Sequence, residues 1–338
     1  MKRKTFLRNI GLSIAAGGWM SRIYPSIPKK YEIIKPARLK KGDTIGLIAP
    51  AGIIYEEKEL ARMRNILESM DLQVVIARHV RSRYGYLSGT DEQRAADLNH
   101  FFKNPDIDGI MTVRGGWGSN RILPHIDFDA IGKHPKFFCG FSDITSLHLS
   151  IFSKTGLITF HGPNGNSNWT DFTKKHFKQM AFGKSLKTLK NPESEMEASV
   201  VIQPGVATGQ LFGGNLTVLT SLIGSGYLPD WKGALLFVED IGEDVYRIDR
   251  MMSQLQLNGI LDKINGFIFG RCRDCKESPG YSLTLEQVLR DYLLQAGKPA
   301  FYGSMISHGP DIFTIPVGVR AKIDAENGSI EILEKPVR

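Results

Sequence analysis

The sequence predicts a two-domain α/β protein. Its N-terminal half is expected to be an open, parallel sheet covered by helices, and its C-terminal half a mixed α/β domain with more β content. Three observations carry this. From Leu39 onward, short apolar runs alternate with amphipathic helical patterns, which implies parallel strands joined by helical crossovers. Residues 166–203 then become dominated by polar and charged side chains and read as a linker. Beyond them come glycine-rich runs and short strands. With 338 residues and 42% apolar content, the chain can bury a core in each half.

Taken in order, Thr44–Ala49 is a strand of buried type, closed by Pro50 and Gly52. Glu56–Met70 is a helix with an apolar stripe through Leu60, Met63 and Leu67. Leu72–Ala77 is a strand, and Asp91–Phe102 a helix with Thr90 as its cap. Strands follow at Ile107–Val113, Phe137–Gly140 and Leu157–Phe160, completing an N-terminal domain over 39–165. Within the linker only Asp171–Phe182 reads as a helix. The C-terminal domain, 204–335, holds strands at Thr208–Phe212, Ala234–Val238, Gly266–Phe269, Thr314–Val317 and Ser329–Leu333. Its helices are Asn215–Ile223, Val245–Leu257 and Leu283–Ala296.

The net charge of +8 is concentrated at the start of the chain. Residues 1–30 hold seven basic side chains and no acid, leaving 36 basic against 35 acidic residues in the remainder. A nearly neutral body does not suit a polyanion, so nucleic acid is not an expected partner. Lys2, Arg3, Lys4 and Arg8 precede a short apolar run from Ile10 to Met20, too short for a comfortable membrane span and suited to an export signal. Arg3-Lys4-Thr5-Phe6-Leu7-Arg8 resembles a twin-arginine signal with lysine in place of the second arginine. Export, to the periplasm, is the expectation, with a cytoplasmic location as the alternative. The segment shows no clean cleavage site.

Phe137–Gly140 runs straight into Phe141-Ser142-Asp143, and a helical pattern begins at once. A serine at such a junction has its Oγ at the carboxyl edge of the sheet, beside free helix-N-terminal N–H groups suited to an oxyanion. It could equally cap the helix. Arg114-Gly115-Gly116-Trp117-Gly118 ends the preceding strand and lacks the spacing of a phosphate loop. It is either a tight turn or a backbone that brings the Gly116 N–H to a substrate oxygen. A nucleophilic serine needs a base and an orienting carboxylate. His161 and His308 each end an apolar run at a Gly-Pro turn, and periodicity does not choose between them. His148 is expected to pack on its helix, and His100, His125, His134 and His176 to lie at the surface. Glu239 and Asp240 end the apolar run Leu235–Val238 and are the candidate carboxylates; Glu243 and Asp244 suit the start of the next helix.

Five strings together resemble the LD-carboxypeptidase family of serine peptidases: Gly46-Leu47-Ile48-Ala49-Pro50-Ala51, Val113-Arg114-Gly115-Gly116-Trp117-Gly118, Gly140-Phe141-Ser142-Asp143, Gly213-Gly214-Asn215-Leu216 and Phe237-Val238-Glu239-Asp240. Ser307-His308-Gly309-Pro310 fits as well, and the likeness runs from about Leu39 to Asp324. The family includes muropeptide carboxypeptidases and proteins giving immunity to peptide-nucleotide antibiotics. The resemblance implies a Rossmann-like N-terminal domain and a β-rich, swivelling C-terminal domain. It implies Ser142 as nucleophile, Glu239 as orienting carboxylate, His308 as general base, and the N–H groups of Gly116 and Asp143 as the oxyanion hole. The chain departs from the family at Gly224-Ser225-Gly226, where a Gly-Thr pair is common. The implied reaction removes a terminal D-Ala from a murein tetrapeptide at an L-configured diaminopimelate or lysine. Arg114 and Asn215 are candidates for the terminal carboxylate, with Trp117 beside them, although Arg114 could instead bridge the domains.

No cofactor is called for. Cys272-Arg273-Asp274-Cys275 is a single C-x-x-C without the second pair a zinc site needs. In an exported chain the two could form a disulfide, leaving Cys139 free. The acids Glu239, Asp240, Glu243 and Asp244 lack the geometry expected of a cation site, and Trp169 and Trp231 read as packing or cleft-edge residues. The alternatives are hydrolysis of an antibiotic conjugate and a murein-peptide binder without turnover. A homodimer is compatible with either, and no stable membrane span is expected once a signal is removed.

Overall fold

The computed structural model describes residues 32–183 and 188–338. The segment carrying the export expectation lies outside them. Over the first half the chain forms β1 (Thr44–Ile48), α1 (Glu57–Glu68), β2 (Gln73–Ile76), α2 (Asp91–Lys103), β3 (Gly109–Thr112), α3 (Phe128–Lys133), β4 (Phe137–Gly140), α4 (Thr145–Thr155) and β5 (Thr159–His161). The five strands pair in parallel in the order β5-β4-β3-β1-β2. Every residue of β3, β4 and β5 is buried, which is why they read as unbroken apolar runs. Helix α1 buries the predicted stripe of Leu60, Met63 and Leu67. Helix α2 starts with a reciprocal cap, Thr90 accepting from the Gln93 N–H while the Gln93 side chain accepts from the Thr90 N–H.

The second half adds α5 (Asp171–Ala181), β6 (Thr188–Lys190), β7 (Val200–Gln203), β8 (Val206–Asn215), α6 (Leu216–Ser221), β9 (Leu235–Ile241), α7 (Val245–Leu257) and α8 (Ile260–Lys263). It continues with β10 (Gly266–Arg273), α9 (Leu285–Ala296), β11 (Ala300–Tyr302), β12 (Ile315–Val317), β13 (Arg320–Asp324) and β14 (Ser329–Ile332). Eight of these strands form a second sheet in the order β6-β14-β13-β8-β9-β10-β11-β7, parallel from β8 to β11 and antiparallel on either flank.

Two differences from the sequence reading matter. The stretch read as a linker supplies β6 and β7, the two edge strands of the second sheet. Leu189 is buried between exposed Thr188 and Lys190, so a strand burying one face has the composition of a loop. Strand β12, expected in the C-terminal domain, joins the first sheet antiparallel to β5. Its Pro316 is tolerated because β12 is an edge. The chain therefore leaves the second sheet after β11 and returns to the first, carrying His308 across on the way.

Candidate active site

The parallel order of the first sheet reverses between β1 and β3, and ligands of such sheets sit beyond the strand ends at that point. The loop after β1 and the glycine loop after β3 meet there, with the Gly52 N–H donating to the Gly115 carbonyl at 3.2 Å. Gly116 has φ +111°, and a β-carbon on it would press on the Gly52 backbone, so glycine is required. The buried Arg94 of α2 fastens both loops. Its Nη1 donates to the Gly118 carbonyl at 2.8 Å and to the Pro50 carbonyl, and its Nη2 pairs with Asp91.

The turn after β4 is equally constrained. Ser142 has φ +66°, a left-handed conformation uncommon outside glycine. Asn164, in the loop after β5, braces it by accepting the Phe141 N–H at 3.2 Å and the Thr112 hydroxyl at 2.6 Å. The Asp143 carboxylate accepts the Ser119 N–H at 2.8 Å, tying the turn to the glycine loop. Burial raises the pKa of that carboxyl, with the Ser119 hydrogen bonds opposing. Ser142 Oγ caps neither the short 3₁₀ turn it begins nor α4.

Instead, Ser142 Oγ lies 2.9 Å from His308 Nε2, and His308 Nδ1 lies 2.7 Å from Glu239 Oε2. Glu239 ends the apolar part of β9 and is wholly buried. The imidazole packs on Phe141, with ring centroids 4.8 Å apart, and Arg273 Nη1 donates to the His308 carbonyl at 2.7 Å. Burial opposes the charged imidazole, but the Glu239 charge and hydrogen bond outweigh it, so the His308 pKa lies above the usual histidine value. Next to Glu239, Asp240 is pushed up to about 6 by burial and by the Glu239 charge.

Of the two histidines left open by periodicity, only His308 reaches the serine. His161 is buried, its Nδ1 has no partner, and burial and the neighbouring imidazoles hold it well below the usual histidine range. His148 packs as expected, bonded to Thr159 Oγ1 and to the Gly140 carbonyl, and burial lowers it to about 4. His176 is not at the surface: its Nδ1–H donates to the Phe172 carbonyl and its ring packs on Phe172 and Phe313. It sits on the buried stripe of α5, which the polar neighbours Lys174, Lys175 and Lys178 disguised in the sequence.

A cavity of about 890 Å³ opens over Ser142, lined also by Arg114, Gly116, Trp117, Asn215 and His308. Arg114 does not bridge the halves of the chain. Its Nη1 donates to the Ile53 carbonyl at 3.0 Å, its guanidinium lies 5.0 Å over Tyr55, and it forms no ion pair among the described residues. Asn215 caps α6 through Oδ1, and its Nδ2 donates to Asp240 Oδ1 at 3.0 Å and Glu239 Oε1 at 3.4 Å. Its amide is therefore committed to the two carboxylates. Trp169 and Trp231 are buried packing residues. Cys272 and Cys275 are bonded to each other, and Cys139 is free and buried. Among the described residues no group of three or more His, Cys, Asp or Glu side chains is arranged to hold a metal, and no helix is long and apolar enough to cross a membrane.

A strained serine at a strand-to-helix turn, bonded to a histidine that contacts a buried glutamate, has the arrangement that serine hydrolases use. The chain belongs to the LD-carboxypeptidase family and is a peptidase by that membership. The family's N-terminal domain matches residues 45–162 and its C-terminal domain residues 208–323. A probable murein peptide carboxypeptidase of Bacillus subtilis is 41% identical over 298 residues, covering 86% of this chain and 91% of that protein. The microcin C7 self-immunity protein of Escherichia coli is 32% identical over 335 residues, covering 88% and 95%. A solved structure of a protein of that name superposes with a TM-score of 0.83 at 29% identity, over 90% of this chain and 100% of the other. A muramoyltetrapeptide carboxypeptidase from Oxalobacter formigenes superposes with a TM-score of 0.75 at 30% identity, over 87% and 100%.

Proposed function

We propose that the protein is a serine-type LD-carboxypeptidase that removes the terminal D-Ala from murein tetrapeptides, with Ser142, His308 and Glu239 as its catalytic triad. The observation that carries this reading is the unbroken run of hydrogen bonds from Glu239 through His308 to Ser142. Similarity to proteins named murein peptide carboxypeptidase and murein tetrapeptide carboxypeptidase supports the substrate.

In the reaction, Ser142 Oγ attacks the carbonyl carbon of the L-configured residue while its proton passes to His308 Nε2. Glu239 holds the Nδ1–H and stabilises the imidazolium. The oxyanion accepts hydrogen bonds from the N–H groups of Gly116 and Asp143, whose loops are fixed by Arg94 and Asn164 before substrate arrives. Collapse of the tetrahedral intermediate breaks the C–N bond, and His308 returns the proton to the leaving amine of D-Ala. Water, deprotonated by His308, then hydrolyses the acyl-enzyme and restores the Ser142 hydroxyl. Arg114, whose side chain lines the cavity, would receive the substrate's free carboxylate.

The proposal includes export. The basic and apolar start of the chain fits it, and the bonded Cys272–Cys275 pair suits an oxidising compartment. Release of D-Ala from a pure tetrapeptide, followed by mass spectrometry, tests the activity. Loss of release in Ser142→Ala with the fold retained is expected, and undiminished turnover in that variant removes the nucleophile. A second reading, hydrolysis of a peptide–nucleotide conjugate, follows from the likeness to the self-immunity protein. Faster cleavage of such a conjugate than of the tetrapeptide would favour it.

A further inference from the structure

We propose that the aromatic rim of the cleft is a saccharide subsite, receiving the amino sugar attached to the N-terminal end of the peptide; the proposal rests on the murein-peptide reading above. Tyr84, Tyr86 and Trp117 remain 58%, 59% and 61% exposed; of the other described aromatic side chains only Tyr55, Tyr246 and Tyr281 are exposed. The first three are grouped. Tyr86 and Trp117 meet edge to face with centroids 6.2 Å apart, and both line the cavity that contains Ser142. Tyr55, under the Arg114 guanidinium, stands apart from this pair and belongs with the site proposed for the terminal carboxylate.

The backbone beneath these rings is pinned. Tyr84 and Leu87 exchange N–H···O bonds of 2.9 and 3.0 Å, and the Ile53 N–H donates to the Tyr86 carbonyl at 3.3 Å. Leu87 also bridges to Gly52, which holds the turn against the loop bearing Gly115. Large apolar faces held open on a fixed backbone, continuous with a catalytic cleft, mark a binding surface. Planar polar groups stand beside them: Asn120 and Arg121 line the same cavity, and Arg121 is held by Asp91 at 3.0 Å.

The shape selects the occupant. A pyranose presents a C–H face that stacks on an aromatic ring and equatorial hydroxyl and acetamido groups that reach amide and guanidinium edges. An aliphatic side chain would instead call for an enclosed pocket. A flat heterocyclic base is best held between parallel rings, whereas Tyr86 and Trp117 stand at 79°. Three residues separate the scissile carbonyl from the sugar in the substrate, an extended reach of roughly 10 Å. That length carries the sugar away from the part-buried Ser142 toward exposed parts of the cleft.

The test compares D-Ala release from a tetrapeptide bearing N-acetylmuramic acid with release from the sugar-free tetrapeptide, using the full chain and its Tyr84→Ala/Tyr86→Ala variant. We expect a KM roughly tenfold lower for the sugar-bearing substrate in the unaltered protein, a difference the double variant abolishes without altering kcat. The Ser142→Ala chain, titrated with the disaccharide of N-acetylglucosamine and N-acetylmuramic acid alone, should show a saturable change in tryptophan fluorescence. Equal KM values for the two substrates, or a variant that raises both alike, overturns the platform and leaves the carboxypeptidase reading standing. Release of D-Ala from neither substrate overturns that reading, and the saccharide titration then decides the platform alone. Tighter binding of adenosine than of the disaccharide, or conversion of a dimer to a monomer by the double variant, assigns the rings to a base or to a second copy and overturns the proposal.

Discussion

Thr145 Oγ1 accepts the backbone N–H of Asn215 at 2.8 Å. Thr145 begins the helix after Ser142, and Asn215 ends β8 directly opposite Glu239. One hydrogen bond therefore fixes the spacing between the strand that supplies the serine and the sheet that supplies the glutamate. The contact is tight: Gly214 has φ +144°, and a β-carbon there would overlap Thr145 Oγ1.

Thr145→Val keeps the shape and removes the acceptor, leaving a buried N–H unsatisfied at a cost of roughly 1–3 kcal/mol. Because the loss falls on the alignment of Ser142 with His308, kcat should fall by about tenfold to a hundredfold with a smaller change in KM. Thr145→Ser should restore most of the rate. Steady-state kinetics on the tetrapeptide, with urea unfolding in parallel, check this; a pure stability loss with unchanged kcat would sink the alignment role.

The raised pKa of His308 has a definite consequence for the pH profile. Only the neutral imidazole accepts the serine proton, so activity is lost as pH falls through the His308 pKa. The acid limb of kcat/KM should therefore have its midpoint above the usual histidine value of about 6.5. Glu239→Gln removes the charge that raises it, so the limb should move to lower pH while kcat falls by roughly 10³–10⁴-fold. Asp240 is held at about 6 and also favours the imidazolium. Asp240→Asn should shift the limb down less than Glu239→Gln does and leave a single-proton slope.

Much of this was legible in the sequence, and the gaps have physical causes. The core strands β3, β4 and β5 are buried on both faces and so read as apolar runs, and Val245–Leu257 keeps an unambiguous helical stripe. Strands β6 and β7 bury only one face over three or four residues, too short for alternation to register. Ser142 and Glu239 were reachable as strand-end residues and His308 as the end of an apolar run, yet choosing His308 over His161 needed the resemblance, because both precede Gly-Pro. Arg94 acts through two backbone carbonyls and Asn164 through one backbone N–H, all far along the chain. Nothing in the spacing of Arg94 set it apart from a solvated helix residue. Asn164, beside the Gly-Pro turn at a strand end, carried a weak signal that could have been used.

The Cys272–Cys275 bond closes a loop of only four residues at the end of β10. So short a loop withholds little entropy from the unfolded chain, on the order of 2 kcal/mol. A Cys272→Ser/Cys275→Ser variant should lose about that much in urea unfolding and still fold. Arg273, inside the loop, donates to the His308 carbonyl, so a modest fall in kcat should accompany it. Reductant should reproduce both effects in the unaltered protein and neither in the variant.

Arg114 is the last test, because it separates substrate recognition from catalysis. Its guanidinium is anchored by Ile53 and Tyr55 and has no carboxylate partner among the described residues. A carboxylate arriving beside it gains a charge-assisted pair that a neutral amide does not. Arg114→Gln should raise KM for the tetrapeptide by roughly tenfold to a hundredfold and change kcat less. The C-terminally amidated tetrapeptide should show the same loss with the unaltered enzyme. Combining the two changes should cost little more than either alone, since each removes one half of a single contact. Additive losses would mean that the terminal carboxylate is read by another group and that Arg114 serves only to shape the loop around Tyr55.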